Sequence, residues 1–338
     1  MSNVVIRVQN VAKNYRRNEV LKDIDFNVHS GEIYGIIGMS GSGKTTLLNT
    51  LIGFIEPDYG DIMFKLEHLL EFKDNEETQF RSVFKNLNDV KRTFGFAAQT
   101  PSFYENLTTA ENLEYFGRMY GLSRDVRRTN AEILIKLMRL EDSTDVKAQN
   151  LSGGMQKRMD IACALIHDPK VLILDEPTAD LDPLLRREMW ELIKKINNKG
   201  TTILMASHFL DEIESLCDRV GILLDGKIVK SGTPDELKNF YTKDEEIHVQ
   251  TSPGRYDVLI NKLHGQEKKL NINRIINKGH KLVIYSLEAE QVLHYLLHII
   301  EKTDESLLDV YVNKPSLEEA FESLIKESRK KAEEKKDD

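Results

Sequence analysis

A glycine-rich stretch near the start of the chain combines the residue types that bind phosphate. It reads Gly38-Met39-Ser40-Gly41-Ser42-Gly43-Lys44-Thr45, with the spacing G-x-x-x-x-G-K-[ST]. Glycines let consecutive backbone N–H groups turn toward a phosphate without Cβ clashes. The ammonium of Lys44 suits the β- and γ-phosphate oxygens, and the hydroxyl of Thr45 suits Mg²⁺. The stretch predicts a phosphate-binding loop and makes nucleotide binding the first hypothesis.

Acidic residues and a histidine follow two apolar runs farther along the chain. The run VLILD ends in Asp175, Glu176 comes next, and His208 follows TTILMAS. In an open α/β sheet such strand ends face the ligand. Each residue also has a plain structural interpretation, because Pro177 permits a simple turn and a histidine at a strand end is often only a hydrogen-bonding partner.

The elements needed to hold these residues are those of an α/β fold. Residues 32–38 are typical of a buried strand entering the loop, and residues 45–51 of a helix leaving it. Three more apolar strands, at 171–174, 201–206 and 220–224, alternate with helical patterns and predict a parallel sheet covered on both faces.

Two further segments complete the first domain. Residues 4–8 and 24–28 alternate like half-buried antiparallel strands, with residues 13–19 as the turn between them. From 110 to 165 the patterns are almost wholly helical, so we expect a helical subdomain over about 100–165.

The pattern changes after about residue 240. Successive segments from 246 to 312 predict the order β, α, β, β, α, β of a small α+β ferredoxin-like domain. Asn277, Lys278 and Gly279 supply the turn between its middle strands. We therefore divide the chain into residues 1–240, an accessory domain at 241–313, and a helix with a charged tail at 314–338.

The composition limits which classes of partner and which cellular compartment are expected. The 338 residues carry a formal net charge of −8, which gives no general attraction for nucleic acid, so none is expected as a partner. The two cysteines, Cys163 and Cys217, lie in apolar helical patterns and predict core residues in a reducing compartment. Neither a secretion signal nor a membrane-spanning run is evident, so the chain is expected to be cytoplasmic.

A second motif, read together with the loop, carries a resemblance to a known family. Residues 151–158 read LSGGMQKR and predict a helix N-terminus capped by Ser152 with two glycines behind it. This stretch resembles the signature of the ATP-binding subunit of an ABC transporter, with Met155 at the position where the family usually has Gln. The resemblance covers about residues 1–235 and implies a P-loop NTPase core with an N-terminal antiparallel β subdomain.

The resemblance implies roles for individual residues. Glu176 polarises the attacking water, His208 contacts the γ-phosphate, Asp182 communicates across the dimer, and Tyr15 packs on adenine. Mg²⁺ is implied to be held by Thr45, Gln99 and Asp175, with Gln99 also reaching the water. The phosphates of ATP are implied to contact Gly38, Met39, Ser40, Gly41, Ser42, Gly43, Lys44, Thr45 and Thr46. The signature residues implied to reach the nucleotide of the other subunit are Leu151, Ser152, Gly153, Gly154, Met155 and Gln156.

The resemblance also implies how the chain acts. Two copies, or this chain and a paired ABC subunit, would close head to tail on ATP and reopen after hydrolysis. Because the sequence has no membrane span, the stroke would act on separate transmembrane permease subunits through the surface near residues 99–120. The chain would then be peripheral on the cytoplasmic face of the membrane. Residues 315–324, PSLEEAFESL, resemble the end of subunits that serve exporters of drugs, sodium or other small molecules.

Several alternatives stay open at this level. A soluble ABC-type ATPase with a non-membrane partner and a regulatory nucleotide-binding module compete with transport. The interval from Gly60 to Gln99 is longer than the family pattern, and the role of the segment 65–92 within it stays open. Apolar residues recur in this interval at helical spacing, at Phe80, Val83, Phe84, Leu87 and Val90. That helix either packs on the antiparallel strands or docks a partner. The domain at 241–313 serves either dimer stabilisation or regulation, and the sequence does not name the transported substrate.

Overall fold

The structure, a computed structural model, describes residues 3–16, 18–65, 80–241 and 244–313, together with 316–318, 321, 324 and 325. The chain divides into two compact units, Met1–Pro234 and Asp235–Asp338. This division falls six residues before the boundary expected at residue 240. Each unit is described by itself below.

The first half of unit 1 contains strands joined by short connections and one helix that follows the glycine-rich loop. The elements are β1 (Val4–Tyr15), β2 (Asn18–His29), β3 (Ile33–Ile37), α1 (Lys44–Leu51), β4 (Tyr59–Lys65), β5 (Phe80–Ser82), α2 (Leu87–Thr93) and β6 (Phe94–Ala97).

The second half of unit 1 begins with a helical region and then returns to alternating strands and helices. The elements are α3 (Thr109–Met119), α4 (Arg124–Leu137), α5 (Gly153–Leu165), β7 (Val171–Asp175), α6 (Pro183–Asn197), β8 (Thr202–Ser207), α7 (Leu210–Leu216), β9 (Arg219–Leu224) and β10 (Lys227–Gly232). Helix α8 (Pro234–Tyr241) begins at the division between the units.

Two sheets form the body of unit 1. A six-stranded sheet has the order β10-β9-β3-β8-β7-β6 and is parallel except for β10. A four-stranded antiparallel sheet has the order β2-β1-β4-β5. Strands β3, β7 and β8 are buried almost throughout, as their apolar sequences require, and share one hydrophobic core with the antiparallel sheet. The expected α/β class and the antiparallel subdomain are confirmed.

The prediction of a turn across residues 13–19 was wrong, because most of these residues lie on paired strands. Strand β1 continues to Tyr15, which pairs with Asn18 at the start of β2, so both strands extend into the segment where the turn was expected. The polar side chains that suggested a loop lie on strands whose other residues, such as Val11 and Leu21, are fully buried. Alternation of burial along a two-sided strand explains the error.

The helical spacing read over Phe80 to Val90 was wrong in its first half. Residues Phe80–Ser82 form β5, which pairs with β4, and the backbone N–H of Val83 donates to the carbonyl of Ile62 at 2.8 Å. The open edge of β4 takes these backbone groups, whereas a helix begins only at Leu87. The rest of the longer segment, residues 66–79, lies outside the described residues.

Between residues 244 and 313, unit 2 contains a four-stranded antiparallel sheet and the two helices that pack on it. Its elements are β11 (Glu245–Ser252), α9 (Tyr256–His264), β12 (Ile272–Asn277), β13 (Leu282–Ser286), α10 (Ala289–Glu301) and β14 (Ser306–Asn313). The strand order β12-β13-β11-β14 and the β, α, β, β, α, β sequence are those of a ferredoxin-like domain, as expected. Apolar residues of both helices pack on one sheet face and form a separate core. The exporter-like segment 315–324 and the charged tail lie largely or wholly outside the described residues.

Candidate functional site

The glycine-rich loop joins the buried strand β3 to helix α1, as the sequence predicted. A Cβ on Gly38 would lie 2.5 Å from the Ser42 hydroxyl oxygen and 2.6 Å from the Leu223 carbonyl oxygen, so only glycine fits. Gly43 caps α1 with φ of 106° and offers no side chain to the first turn of the helix. The loop therefore combines a close backbone approach with helix N–H groups that no capping side chain occupies.

Lys44 is the cation of this loop. It is only 8% exposed, and its Nζ donates to the carbonyl oxygens of Gly38 at 2.9 Å and Met39 at 3.3 Å. The same Nζ lies 3.5 Å from Oε1 of Glu176. The backbone of the loop thus curls around the ammonium group and keeps it at the surface that a phosphate would meet.

Asp175 and Glu176 follow each other at the end of β7. Asp175 is 2% exposed, and its Oδ1 has no hydrogen-bond partner among the described residues. Burial raises the pKa of the Asp175 carboxyl, the Thr45 hydroxyl lowers it, and the neighbouring Glu176 raises it. An acceptor oxygen left unpaired in this way is a group that a metal ion or its water would satisfy.

Glu176 lies directly against His208. Its Oε2 is 2.7 Å from the Nδ1 of His208 and also accepts the His208 backbone N–H at 3.3 Å. The backbone of Glu176 has φ of 50°, in the left-handed region that few non-glycine residues adopt, and its N–H donates to the Ala206 carbonyl at 2.9 Å. That conformation brings the carboxylate of β7 to the histidine that follows β8.

These groups surround one cavity of about 410 Å³ at the carboxyl ends of the parallel strands. Its lining residues are Val20, Ser40, Gly41, Gly43, Lys44, Thr45, Thr46, Gln99, Glu176 and His208. A cation, helix N–H groups and hydroxyls lie on one side, and a carboxylate, an amide and an imidazole lie on the other. Such a cavity can hold a polyphosphate with its end next to a proton acceptor.

Gln99 reaches this cavity from the loop after β6. The loop is held from behind by α5, because Lys157 Nζ donates to the Gln99 carbonyl at 2.7 Å. Asp160, one turn farther along α5, accepts the backbone N–H of Ser102 at 2.9 Å and its hydroxyl at 3.1 Å. Sequence reasoning missed both contacts, although the three-residue spacing of Lys157 and Asp160 on one helix face was visible.

The signature residues lie elsewhere. Ser152 caps α5 by accepting the Met155 N–H at 3.4 Å, and Ser152 and Gly153 are both exposed. Gly154 packs against the Leu185 side chain, and the Gln156 amide donates to the Ala148 carbonyl at 3.0 Å. Leu151 is buried, at 7% exposure. Among the described residues, the signature contributes nothing to the lining of the cavity.

Two more expected site residues also lie outside the cavity. Asp182 caps α6, its Oδ1 accepting the N–H groups of Leu184 at 2.9 Å and Leu185 at 3.0 Å. Tyr15 stands at the end of β1 with 44% exposure, whereas Val20 of β2 lines the cavity. Of the nine residues expected at the phosphates, Gly38, Met39 and Ser42 are not part of the cavity lining. Asp175 is not part of it either, and its carboxyl group is hydrogen-bonded to the Thr45 hydroxyl.

The glycine-rich loop joins a buried parallel strand to a helix that begins with a lysine, and two carboxylates follow another strand of the same sheet. This combination defines a P-loop nucleotide-binding fold. The family model described as ABC transporter matches residues 21–179. The linearmycin resistance ATP-binding protein LnrL of Bacillus subtilis is 30% identical over 95% of this chain and 98% of the relative. The Nod factor export ATP-binding protein I of Bradyrhizobium diazoefficiens is 31% identical over 95% and 96%.

Solved structures agree with these relatives. An ATP-binding subunit of an ABC transporter superposes with a TM-score of 0.60 and 30% identity, covering 70% of this chain and 93% of the other. An ATP-binding cassette solved as a dimer in a post-hydrolysis state with ADP and Pi superposes with a TM-score of 0.57 and 27% identity, covering 68% and 98%. The chain belongs to the family of ATP-binding subunits of ABC transporters and is an ATPase of that family. Within the part of the chain that the structure describes, no helix is long and apolar enough to span a membrane.

Proposed function

We propose that the cavity beside Lys44 hydrolyses ATP, with Glu176 as the base that polarises the attacking water and His208 as the residue that orients it. This proposal rests on one observation: residues from three different elements lie together at one cavity. The loop brings Lys44, β7 brings Glu176 and β8 brings His208, with 3.5 Å and 2.7 Å between the neighbouring charged or polar atoms.

Binding of ATP would use the contacts already present in the loop. The phosphates would meet the N–H groups at the start of α1 and the ammonium of Lys44, and the hydroxyls of Thr45 and Thr46 would lie beside them. Gly38, Met39 and Ser42 would act by holding this backbone in place. Adenine would lie toward β1 and β2, where Tyr15 is the aromatic residue proposed to pack on it.

Mg²⁺ fits the oxygen atoms present in the site. Thr45 and Gln99 line the cavity, and the buried Oδ1 of Asp175 lacks a hydrogen-bond partner among the described residues. Mg²⁺ prefers such oxygen ligands and usually keeps several waters, so we propose that these three residues hold it, Asp175 through water. The ion would neutralise charge on the β- and γ-phosphates.

Glu176 and His208 would then position the reacting water. Phosphoryl transfer to water depends mainly on in-line positioning and charge stabilisation. The carboxylate of Glu176 accepts the proton of the water, and its contact with Nδ1 of His208 leaves Nε2 of the imidazole free to face the γ-phosphate. Lys44 would move from Glu176 to the phosphate oxygens as ATP enters.

The exposed signature supports a site shared between two subunits. Ser152 and Gly153 are exposed at the start of α5, where the helix N–H groups suit a second phosphate. We propose that Ser152 and Gly154, flanked by Leu151, Gly153, Met155 and Gln156, face the nucleotide of a head-to-tail partner, with Asp182 near the contact. The similar ATP-binding cassette that was solved as a dimer with ADP and Pi supports dimerisation. The partner is a second copy or a paired ABC subunit.

We further propose that the dimer drives export through separate membrane permease subunits, from the cytoplasmic face of the membrane. The names of two relatives that match nearly the whole chain, one of linearmycin resistance and one of Nod factor export, support small-molecule export. On this proposal residues 1–240 work as the motor, and the domain at 241–313 stabilises or regulates the dimer.

Phosphate release by the purified full-length chain, with ATP and Mg²⁺, tests the catalytic part of the proposal. Turnover lost in Lys44→Met and in Glu176→Gln, with ATP binding weakened only in the first, supports it. Turnover that survives in both variants refutes the site. The transport part is tested in two steps. An affinity-tagged copy of this chain is used to capture a membrane protein from detergent-solubilised membranes. Export of a labelled apolar drug is then measured with the two proteins together.

A further inference from the structure

A carboxylate that the proposed reaction does not use lies buried behind the site. Glu212, in the first turn of α7, is 0% exposed. Its Oε1 accepts the hydroxyl of Thr178 at 2.9 Å and the indole N–H of Trp190 at 3.2 Å. Its Oε2 accepts the hydroxyl of Ser207 at 2.5 Å. An ionised carboxylate is an acceptor only, so it can receive all three donors at once.

These three donors come from three different elements, two of which carry the proposed catalytic pair. Thr178 lies two residues after Glu176, in the loop that follows β7. Ser207 immediately precedes His208 at the end of β8, and its oxygen also accepts the backbone N–H of Phe209 at 3.1 Å. Glu212 thus accepts hydrogen bonds from the residue just before His208 and from a residue just beyond Glu176, and Ser207 in turn accepts the N–H of the residue after His208.

The contact that depends on this arrangement is short. Glu176 Oε2 and His208 Nδ1 are 2.7 Å apart, although they are carried by different strands and Glu176 has a left-handed backbone. Besides this contact, the His208 backbone N–H donates to Glu176 Oε2 at 3.3 Å, and the Glu176 N–H donates to the Ala206 carbonyl. Thr178 and Ser207 are both 0% exposed, so water does not replace their bonds to Glu212.

Burial of so many polar groups is costly unless every donor is satisfied. Burial raises the pKa of the Glu212 carboxyl, and its hydrogen bonds with Ser207, Thr178 and Trp190 lower it. An apolar side chain would fill this space at lower cost, but it would leave three donors unpaired. The hydrogen bonds of Glu212 therefore fix the carboxyl-terminal ends of β7 and β8 in position relative to each other.

We propose that Glu212 is a positioning residue for ATP hydrolysis, which holds the loop after Glu176 and the end of β8 together so that Glu176 and His208 meet in front of the γ-phosphate. The proposal rests on the proposed roles of Glu176 and His208. It concerns geometry, because Glu212 itself does not reach the cavity lining.

Two substitutions at Glu212 distinguish the effect of its hydrogen bonds on kcat from the effect of its charge. Glutamine keeps all three contacts, since its Oε1 accepts from Thr178 and Trp190 while its Nε2 donates to the rotatable hydroxyl of Ser207. Glu212→Gln is expected to keep kcat within about threefold, whereas Glu212→Ala lowers kcat by about 10- to 100-fold, the range for loss of a supporting hydrogen-bond partner. Affinity for ATP, measured with a fluorescent analogue, changes by less than about threefold in both, because the loop at Lys44 is untouched.

Glu32 offers a matched control. It is another buried carboxylate of the same sheet, 8% exposed, at the opposite end of β3, where it accepts the His29 N–H and pairs with Arg219. Glu32→Ala is expected to lower the melting temperature and keep kcat. If Glu212→Ala does not fold, Thr178→Val removes one tether at nearly constant shape, and its expected result is a fall in kcat of about 3- to 10-fold.

A double-mutant cycle with His208→Ala completes the test. If Glu212 acts through the catalytic pair, Glu212→Ala lowers kcat much less in the His208→Ala background than in the wild type. An equal loss in both backgrounds, a kcat of Glu212→Gln as low as that of Glu212→Ala, or a wild-type kcat in Glu212→Ala or Thr178→Val overturns the positioning role. Absence of ATP turnover in the wild-type full-length chain refutes the proposed function instead, so the two failures are distinct.

Discussion

Replacement of Glu176 by glutamine tests the proposed chemistry most directly. The amide has the shape of the carboxylate, so it fills the space between Lys44, 3.5 Å away, and His208, 2.7 Å away. It cannot take a proton from water. The left-handed backbone at this residue, with φ of 50°, costs the same for Gln as for Glu, so the fold is expected to tolerate the change.

The expected loss follows from the role of a general base. A positioned proton acceptor contributes about 10²- to 10⁴-fold to a rate, so kcat should fall by at least about 100-fold. ATP binding should be kept or tightened, because Lys44 loses its carboxylate partner while its bonds to the carbonyls of Gly38 and Met39 remain. The raised pKa of Asp175 should also move back toward its ordinary value, since the charge of Glu176 contributes to the shift.

The assay combines steady-state phosphate release with light scattering after gel filtration in ATP and Mg²⁺. The variant is expected to bind ATP, to release almost no phosphate, and to elute as a dimer under conditions where the wild type does not. Glu191→Gln, an isosteric change at an exposed position of α6, is the control and should behave as the wild type. Turnover of Glu176→Gln within about threefold of the control would refute Glu176 as the base, given the contribution expected of one.

Three further predictions concern the glycine-rich loop, helix α5 and the stability of unit 1 in acid. Lys44→Met should weaken ATP binding by about 10- to 100-fold, the value of one charge-assisted hydrogen bond, and an unchanged Kd would contradict the site. Asp160→Ala removes the carboxylate that accepts the Ser102 N–H and hydroxyl, and the loss of these hydrogen bonds to a charged group should lower the free energy of unfolding by about 1–3 kcal/mol in urea titrations, whereas Ser102→Ala should cost less. Burial lowers the pKa of His167 from 6.5 to about 4, so as pH falls the unfolded chain takes up this proton first. The stability that neutral His167 contributes is complete above about pH 6.5 and is lost between there and pH 4, and His167→Gln should therefore lose less melting temperature than the wild type between pH 7.5 and 5.

The fold was predictable from the sequence wherever one interaction dominates. Strands β3, β7 and β8 are buried on both faces, so their apolar runs stand out, and Gly38 marks a place where a Cβ has no room. The segment after residue 80 was not predictable in the same way. Its apolar spacing suits a helix, but the unpaired edge of β4 offers backbone partners that local spacing does not reveal.

The site was predictable as residue types at strand ends and less so as contacts. The loop, Glu176 and His208 could be found because their positions follow from the strands that carry them. Glu212 could not, since its three donors come from residues 178, 190 and 207, and nothing in the helix that carries it indicates where they lie. Asp182 resembles a functional residue by position, yet the hydrogen bonds that it makes here are those of a helix cap.

Helix α5 has a mechanical consequence. Ser152 stands at its first turn, whereas Lys157 and Asp160 along its length grip the backbone of Gln99 and Ser102. These thirteen residues form a continuous α-helix about 20 Å long, so the two ends of α5 are joined by an unbroken backbone hydrogen-bond ladder. If Ser152 meets the nucleotide of a partner subunit as proposed, a tilt of α5 would also displace the backbone of Gln99 at this chain's own cavity. Nucleotide bound at one site would then change the position of Gln99 at the other site.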